Sequence, residues 1–158
     1  LLDQNKYNEN QIIEISIPRE EYFNKVCNFI KKNSGVAIII DYGYVHPINY
    51  STLQSVRFHR RTNILDNPGK QDITSLINFQ NLVKIAKKNN LNTYGPITQE
   101  KFLKNNGIDE RKKKILFKAS KQQKHIIENG YERLTAQDQM GTIFKCLVVS
   151  TYRFLDEK

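Results

Sequence analysis

Three residues that could contact a ligand come immediately after an apolar run in the segment VAIIIDYGYVHP, residues 36–47. The continuous run predicts a parallel strand covered by helices on both faces, and ligands of open α/β sheets bind at the carboxyl ends of such strands. Asp41 could accept hydrogen bonds from an amine or guanidinium, Tyr42 could offer a hydroxyl or a ring face, and Gly43 would permit a tight turn beside a substrate. Equally, Asp41 could cap a turn that Gly43 merely allows.

A second candidate is the basic segment RFHRR, residues 57–61, which lies in a long stretch without clear periodicity. Arg57 and its neighbouring arginines surround His59 and could bind a phosphate, a carboxylate or nucleic acid, although a solvated basic loop is the commoner outcome. The histidines at 46, 59 and 125 do not share a metal-binding spacing. The sequence therefore predicts no metal site.

The segment ERKKKILFKASKQQK, residues 110–124, predicts a helix with a lysine-rich face. Such a face could touch RNA, but a solvated basic face is the default interpretation because few aromatic residues are present to stack bases. Nucleic acid is thus not favoured as a partner. The apolar residues of this helix are expected to face the core: Ile115, Leu116, Ala119, Ile126 and Ile127.

The rest of the pattern predicts alternating helices and strands. An apolar run predicts a strand over 11–18, a helix follows from Pro18 to Gly35, and residues 43–70 form a long excursion. Further elements are a helix over 78–90, a strand over 91–97, a helix from Thr98 to Gly107, a helix from Asp109 to Gly130 and a closing strand over 141–151. A helix followed by a buried strand is typical of an α/β fold.

Composition limits the class of protein. The chain has 158 residues and a formal net charge of +9, and its length predicts one domain over residues 1–158. The lysine excess accompanies many Asn and Ile residues, as AT-rich coding produces, so charge alone assigns no acidic partner. No membrane contact or secretion is expected, because no apolar stretch could cross a bilayer and the amino terminus lacks a signal-peptide pattern. Cys27 and Cys146 are predicted to be reduced core residues of a cytoplasmic bacterial protein.

The glycines nowhere form a nucleotide-binding turn. They stand at 35, 43, 69, 95, 107, 130 and 141, which gives neither G-x-G-x-x-G nor a P-loop, and no G-x-S-x-G is present. The sequence therefore predicts no cofactor site in this chain and excludes a nucleophilic hydrolase of that type.

Five blocks occur in order between Gly35 and Ser150: GVAIIIDYGY, TLQSVRFHRR, NPGKQDITSLINF, YGPITQEKFLKNNGIDER and DQMGTIFKCLVVS. Together they resemble the carboxyl-terminal half of the MidA family of class I S-adenosylmethionine-dependent methyltransferases. That family includes the mitochondrial complex I assembly factor, which dimethylates an arginine of a complex I subunit. The resemblance implies the C-terminal half of a Rossmann-like sheet with flanking helices, in which VAIIID and LNTYGPI are parallel strands and GTIFKCLVVS is the antiparallel last strand.

The resemblance also bears on the cofactor. In such relatives S-adenosylmethionine lies on a glycine-rich loop in the amino-terminal half, and an acid after the second strand holds the ribose. The resemblance therefore implies that S-adenosylmethionine serves the full-length family and that the cofactor-binding half is absent from this chain.

Candidate roles carry over to matching positions. Asp41 and Asp72 are the candidate catalytic residues, since a carboxylate can hold a guanidinium in line by charge and hydrogen bonding. The candidate substrate-binding residues are Tyr42, Gly43, Arg57 and His59.

Two positions depart from the family pattern. Phe58 stands where relatives usually have glycine, and Asn78 replaces the customary acid before Phe79. A bulky side chain in the loop and a lost carboxylate would each weaken catalysis.

Two functions follow from these observations. The first is the substrate-side half of a MidA-like protein arginine methyltransferase, inactive alone, which acts on a protein substrate. Its exposed sheet edge would pair with an amino-terminal half or with a second copy. The second is a non-catalytic module that binds an acidic protein or RNA through the basic loop and helix, with strong salt dependence.

Overall fold

The computed structural model describes residues 11–154. Its elements are α1 (Ile17–Asn33), β1 (Val36–Tyr44), β2 (Gln54–Arg57), β3 (Arg60–Thr62), β4 (Asp72–Thr74), β5 (Ile77–Asn78), α2 (Phe79–Lys88), β6 (Asn92–Thr98), α3 (Gln99–Asn105), α4 (Ile108–Lys118), α5 (Lys121–Thr135), α6 (Met140–Ile143) and β7 (Phe144–Ser150). The strands form a four-stranded sheet in the order β5-β1-β7-β6 and a three-stranded sheet in the order β3-β2-β4.

The four-stranded sheet has the order implied by the resemblance. β1 is parallel to β5 and antiparallel to β7, and β7 is also antiparallel to β6. β1 and β6 therefore run in the same direction with β7 between them, and their carboxyl ends meet at one edge. This arrangement confirms the predicted α/β class and the roles expected for the three main strands.

One face of this sheet carries the core. From α1 and α2, the buried side chains include Phe23, Cys27, Phe79 and Leu82, and Leu147 of β7 packs among them. Fully burying one such side chain contributes about 1.5–3 kcal/mol. Both cysteines are free and buried, and desolvation raises the pKa of each thiol to about 11, which confirms the prediction of core cysteines.

The other face of β1 is open. Val36, Ile38, Ile40 and Tyr42 alternate along it with 44–55% of each residue exposed, and we call these four residues the apolar strip. The outer edge of β1 pairs with β5 only at Gly43 and Tyr44. The strand therefore presents both an apolar face and most of a hydrogen-bonding edge without a partner in the described part of the chain.

The predicted strand over 11–18 is wrong. Residues 11–16 have no regular structure, and Ile17 begins α1 with Pro18 in its first turn. The segment is held by the Glu14 carboxylate rather than by a ladder of backbone hydrogen bonds. The expectation about a signal peptide concerns residues outside the described range.

The predicted helix from Asp109 to Gly130 is two helices. It breaks at Ala119 because Ser120 begins α5 with a capping box, in which the Gln123 side chain accepts from the Ser120 N–H at 2.9 Å. Leu116, Ala119 and Ile127 are half-buried, whereas Ile115 and Ile126 are exposed. The expectation that all five face the core is therefore only partly met.

Two further boundaries differ from the sequence expectations. The closing strand begins at Phe144, because residues 140–143 form a helical turn in which Gly141 packs against the carbonyl groups of Thr135 and Ala136. The long excursion contains the small sheet of β2, β3 and β4. No helix among residues 11–154 is long and apolar enough to cross a membrane.

Candidate functional site

A cleft of about 480 Å³ lies where β1 and β6 leave the sheet. Its walls are Gly43–His46, where β1 ends, and Pro96–Thr98 at the end of β6, together with Lys101 and Lys145. The strand register places Asp41 and Thr98 opposite Lys145 from its two sides. The sheet therefore gathers polar groups at the edge where α/β proteins bind ligands.

Lys145 is the titratable group that sequence reasoning missed. Its ammonium is half-buried and donates to the Thr142 carbonyl, and desolvation lowers its pKa below the ordinary value. Lys101 and His46 also line the cleft, and no acid does, so the cleft itself favours an anionic group. The available signal was one lysine in the otherwise apolar run FKCLVVS.

Asp41 lies beside the cleft, towards the free edge of β1. One carboxylate oxygen accepts from the Tyr42 N–H of the same strand at 2.7 Å, and Asp41 caps no turn because β1 continues to Tyr44. The other has no hydrogen-bond partner among residues 11–154, and no ion pair there joins Asp41 to Lys145. By strand alternation Asp41 lies on the face of Ala37 and Ile39, opposite the apolar strip, so a guanidinium held by Asp41 would sit on that face near the carboxyl end of β1.

Tyr42 and Gly43 have clear packing roles. The Tyr42 ring packs on Phe144 with centroids 4.1 Å apart. A Cβ on Gly43 would lie 2.5 Å from the Ile77 carbonyl oxygen and from the ring of Phe79. Gly43 is thus needed for the close approach of β1 to β5 and α2, and a role in substrate binding stays a prediction.

The other candidates lie on the small sheet. Asp72 pairs with Val56, and Arg57 is the next residue along β2, so strand alternation directs the Arg57 and Asp72 side chains to opposite faces. His59 is exposed in the turn that follows. No hydrogen bond or ion pair in the described range joins these residues to Asp41, so the candidates fall into two groups.

Phe58 occupies a strained position. Phe58 and His59 have φ values of 50° and 61° in the two-residue turn between β2 and β3, where a hairpin favours glycine or asparagine. The Phe58 side chain is 82% exposed, and its ring lies beneath the Arg57 guanidinium at 5.0 Å. The departure from glycine therefore costs backbone energy without contributing to a core.

We expect Phe58→Gly to raise the free energy of unfolding by about 0.5–1 kcal/mol, because relief of left-handed strain exceeds the entropy cost of glycine. Urea unfolding would measure the change. Leu65→Gly is the matched control, since Leu65 is 83% exposed but does not have a positive φ, and it should destabilise. Equal losses for the two variants would contradict the strained turn.

Asn78 replaces the acid that relatives have before Phe79, and it still caps the helix that follows. Its side chain accepts from the Asn81 N–H at 3.2 Å and begins α2. Asparagine and aspartate cap helices about equally well. The replacement therefore leaves the start of α2 intact.

Glu14 ties the segment before α1 to residues 51–53. Its carboxylate accepts from the Thr52 N–H at 2.7 Å and the Thr52 hydroxyl at 2.5 Å, and also from Ser51 and Leu53. The Thr52 hydroxyl in turn accepts from the Leu76 N–H at 2.9 Å. Partial burial alone would raise the pKa of Glu14, but these hydrogen bonds together lower it.

Because the folded pKa is lowered, Glu14 stabilises the fold above its ordinary pKa of 4.5, and this contribution is lost as the pH falls through the folded value. We expect Glu14→Gln to cost about 1 kcal/mol at pH 7, since the site is partly open to solvent. The difference from wild type should shrink below pH 4 in a series of denaturant titrations. Glu21→Gln, at an exposed position on α1, should show no such convergence.

The fold and the edge cleft define an α/β protein with a mixed sheet, flanking helices and a ligand-sized cleft at the carboxyl ends of β1 and β6. Residues 2–97 match the family model described as "Putative S-adenosyl-L-methionine-dependent methyltransferase". The match covers more than half of the sequence, so the chain belongs to this family of S-adenosylmethionine-dependent methyltransferases, and the resemblance to MidA proteins is confirmed.

Similar proteins support this assignment. The chain is 36% identical over 135 residues to "Protein arginine methyltransferase NDUFAF7, mitochondrial" of Xenopus tropicalis, and 31% identical over 138 residues to the Drosophila melanogaster homologue of that protein. The aligned regions cover 84% and 87% of this chain but 31% of each relative. The chain thus spans about a third of the length of the curated relatives it matches.

Solved structures match the fold. A Burkholderia thailandensis protein crystallised with S-adenosyl-homocysteine superposes with a TM-score of 0.78 at 24% identity, over 95% of this chain and 39% of that one. A native crystal structure of an uncharacterized protein from the same species gives a TM-score of 0.77 at 24% identity, over 90% of this chain and 39% of that one.

The described residues do not fit the cofactor by themselves. A nucleoside cofactor in an α/β sheet needs a glycine-rich turn after a parallel strand. Residues 45–53 after β1 contain no glycine, and β5 and β6 lead directly into α2 and α3 at Phe79 and Gln99. Within residues 11–154, no group of three His, Cys, Asp or Glu side chains could hold a metal ion.

Proposed function

We propose that this chain is the carboxyl-terminal, substrate-side part of a protein arginine methyltransferase and is inactive without the amino-terminal part of the fold. One observation carries the proposal: β1 has an apolar strip and an unpaired edge that the described chain leaves uncovered. A parallel strand with helices over it would complete this sheet, as parallel sheets require. The missing part would also bring the glycine-rich turn for S-adenosylmethionine.

Arginine as the acceptor is supported by the Xenopus and Drosophila relatives, which are named protein arginine methyltransferases, and by Asp41. The second Asp41 oxygen is available to a guanidinium, and it lies near the carboxyl end of β1, on the face opposite the apolar strip, where we expect the amino-terminal part to close the site. In that closed site a carboxylate could orient the guanidinium and stabilise its charge. Asp72 lies on the other sheet, so we give the orienting role to Asp41.

The neighbouring cleft accounts for other candidate residues. Lys101 and Lys145 give its lining a positive character, which suits an acid next to the target arginine in a protein substrate. The Arg57 and His59 turn would contact more distant parts of that substrate. A cytoplasmic location in a bacterium stays a prediction.

Calorimetry with S-adenosylmethionine tests the proposal. The chain alone should show no binding, whereas a chimaera that joins it to the preceding part of the Xenopus tropicalis relative should bind the cofactor. In the chimaera, Asp41→Asn should leave that affinity unchanged and slow methyl transfer to an arginine-rich peptide by roughly 100-fold, as for loss of one transition-state contact. Micromolar binding by the chain alone would overturn the proposal.

A further inference from the structure

The helical hairpin of α4 and α5 carries a surface groove that the proposed function does not use. At one end the hairpin is closed, because the Tyr131 hydroxyl donates to Asp109 at 2.6 Å and the Lys112 ammonium lies 3.8 Å from the centre of the Tyr131 ring. Near the bend at Ala119–Ser120 a groove of about 1000 Å³ opens between the helices. We call this space the hairpin groove.

The walls of the hairpin groove are apolar and exposed. They include Ile115, Phe117, Ala119, Ile126 and Ile127. Phe117 is 88% exposed, Ile126 65% and Ile115 40%, although the helical periodicity predicts that both isoleucines face a core. Large contiguous apolar patches on a protein surface mark interaction sites, whereas apolar residues exposed singly are normal.

The rim of the hairpin groove is positively charged. Residues 111–127 contain seven lysines and arginines and no acid, and Lys113, Lys114 and Lys118 line the groove directly. No salt bridge within residues 11–154 involves any of these cations. An acidic partner would therefore meet a row of uncompensated charges around an apolar centre.

We propose that the hairpin groove binds an amphipathic segment of a protein partner, with apolar side chains in the groove and carboxylates against the lysine rim. This is the helix-in-groove mode of recognition, in which apolar side chains at i, i+3 or i+4 and i+7 anchor the segment. The concave shape favours an inserted peptide over a flat membrane surface. Phe117 alone provides no stacking platform for successive RNA bases.

The inference does not rest on methyl transfer, so its test needs no cofactor. A fluorescent, acidic amphipathic peptide about five helical turns long is titrated with the full chain, and anisotropy reports binding. Phe117→Ala and Lys113→Glu/Lys114→Glu should each weaken binding at least ~10-fold, by loss of the anchor and of charge. Affinity should also fall as salt rises.

Matched variants and probes decide the outcome. Tyr22→Ala and Lys31→Glu/Lys32→Glu change an exposed aromatic and two lysines on α1 and should leave binding unchanged. A peptide with lysines in place of its acids should not bind, and a scrambled peptide of equal charge should bind at least ~10-fold more weakly. Circular dichroism confirms that each variant is folded.

Four results would each overturn the inference: no binding of the acidic peptide, equal binding of its scrambled form, binding unaffected by Phe117→Ala, or tighter binding of single-stranded RNA or anionic vesicles than of the peptide. Self-association that buries Phe117, detected by sedimentation of wild type and Phe117→Ala, would also exclude it and assign the groove to a second copy. Cofactor binding by the chimaera is a separate measurement, so the two proposals can fail independently.

Discussion

Gly43→Ala should lower the free energy of unfolding by about 1–3 kcal/mol, the range for overpacking a rigid site. The new methyl group would lie 2.5 Å from the Ile77 carbonyl oxygen and the Phe79 ring, and Phe79 is fully buried. Neither group is the free end of a flexible side chain, so β5 or α2 must move. Urea unfolding monitored by circular dichroism would measure the loss.

Gly130→Ala is the matched control for this substitution. Gly130 lies in α5 with no atom within 4 Å of the added methyl group, so alanine should stabilise the helix by about 0.5–1 kcal/mol. If Gly43→Ala left the unfolding midpoint unchanged, the close approach of β1 to β5 would not exist in solution. Gly43 would then be free to act as a substrate-side residue only.

Ile38→Asp should weaken pairing of the chain with the amino-terminal part of the fold by at least ~100-fold. Ile38 is the centre of the apolar strip, and a carboxylate there would be buried without a partner once the strip is covered, at a cost of several kcal/mol. A tenfold change in affinity corresponds to about 1.4 kcal/mol. Calorimetry with the preceding segment of the Xenopus tropicalis relative would measure the effect.

Two controls separate charge in the strip from other effects. Ile38→Thr keeps a β-branched side chain without charge and should weaken pairing far less than the aspartate. Phe117→Asp places the same charge at an exposed apolar residue of α4 and should leave pairing unchanged. If the Ile38→Asp chain paired normally, the strip would not be the interface on which the proposed function rests.

The sequence predicts the main strands well, because long apolar runs such as VAIII in β1 have few alternatives to burial in a sheet. It fails where one side chain decides the local structure. The isoleucines at 12, 13 and 15 suggested a strand, but Glu14 accepts hydrogen bonds from residues 51–53, nearly forty positions away. A capping box at Ser120 likewise overrides the periodicity of a longer helix.

The candidate site, like the fold, could be predicted from the sequence only in part. The strand pattern predicted β1 but ended it at Asp41, whereas the strand continues through Tyr42 and Gly43 to Tyr44, and a role for Asp41 in the site stays a prediction. The sequence did not identify Lys145 as a site residue, because its place depends on the register of β7. That register sets Lys145 opposite both Asp41 and Thr98, about 100 and 50 residues away in sequence. Such long-range pairing sets the composition of a site, and a single sequence does not contain it.

The position of β7 has a consequence for how the protein is made. Among the strands of residues 11–154, the inner strand β7 is synthesised after β1 and β6, and roughly 100 residues separate the end of β1 from its start. The ribosome adds about 5–20 residues per second, so several seconds pass between the completion of β1 and the synthesis of β7. During that time β1 and β6 cannot join, because β7 lies between them in the sheet. During translation, the nascent chain thus exposes apolar strand edges, a state in which a chaperone would protect it from aggregation.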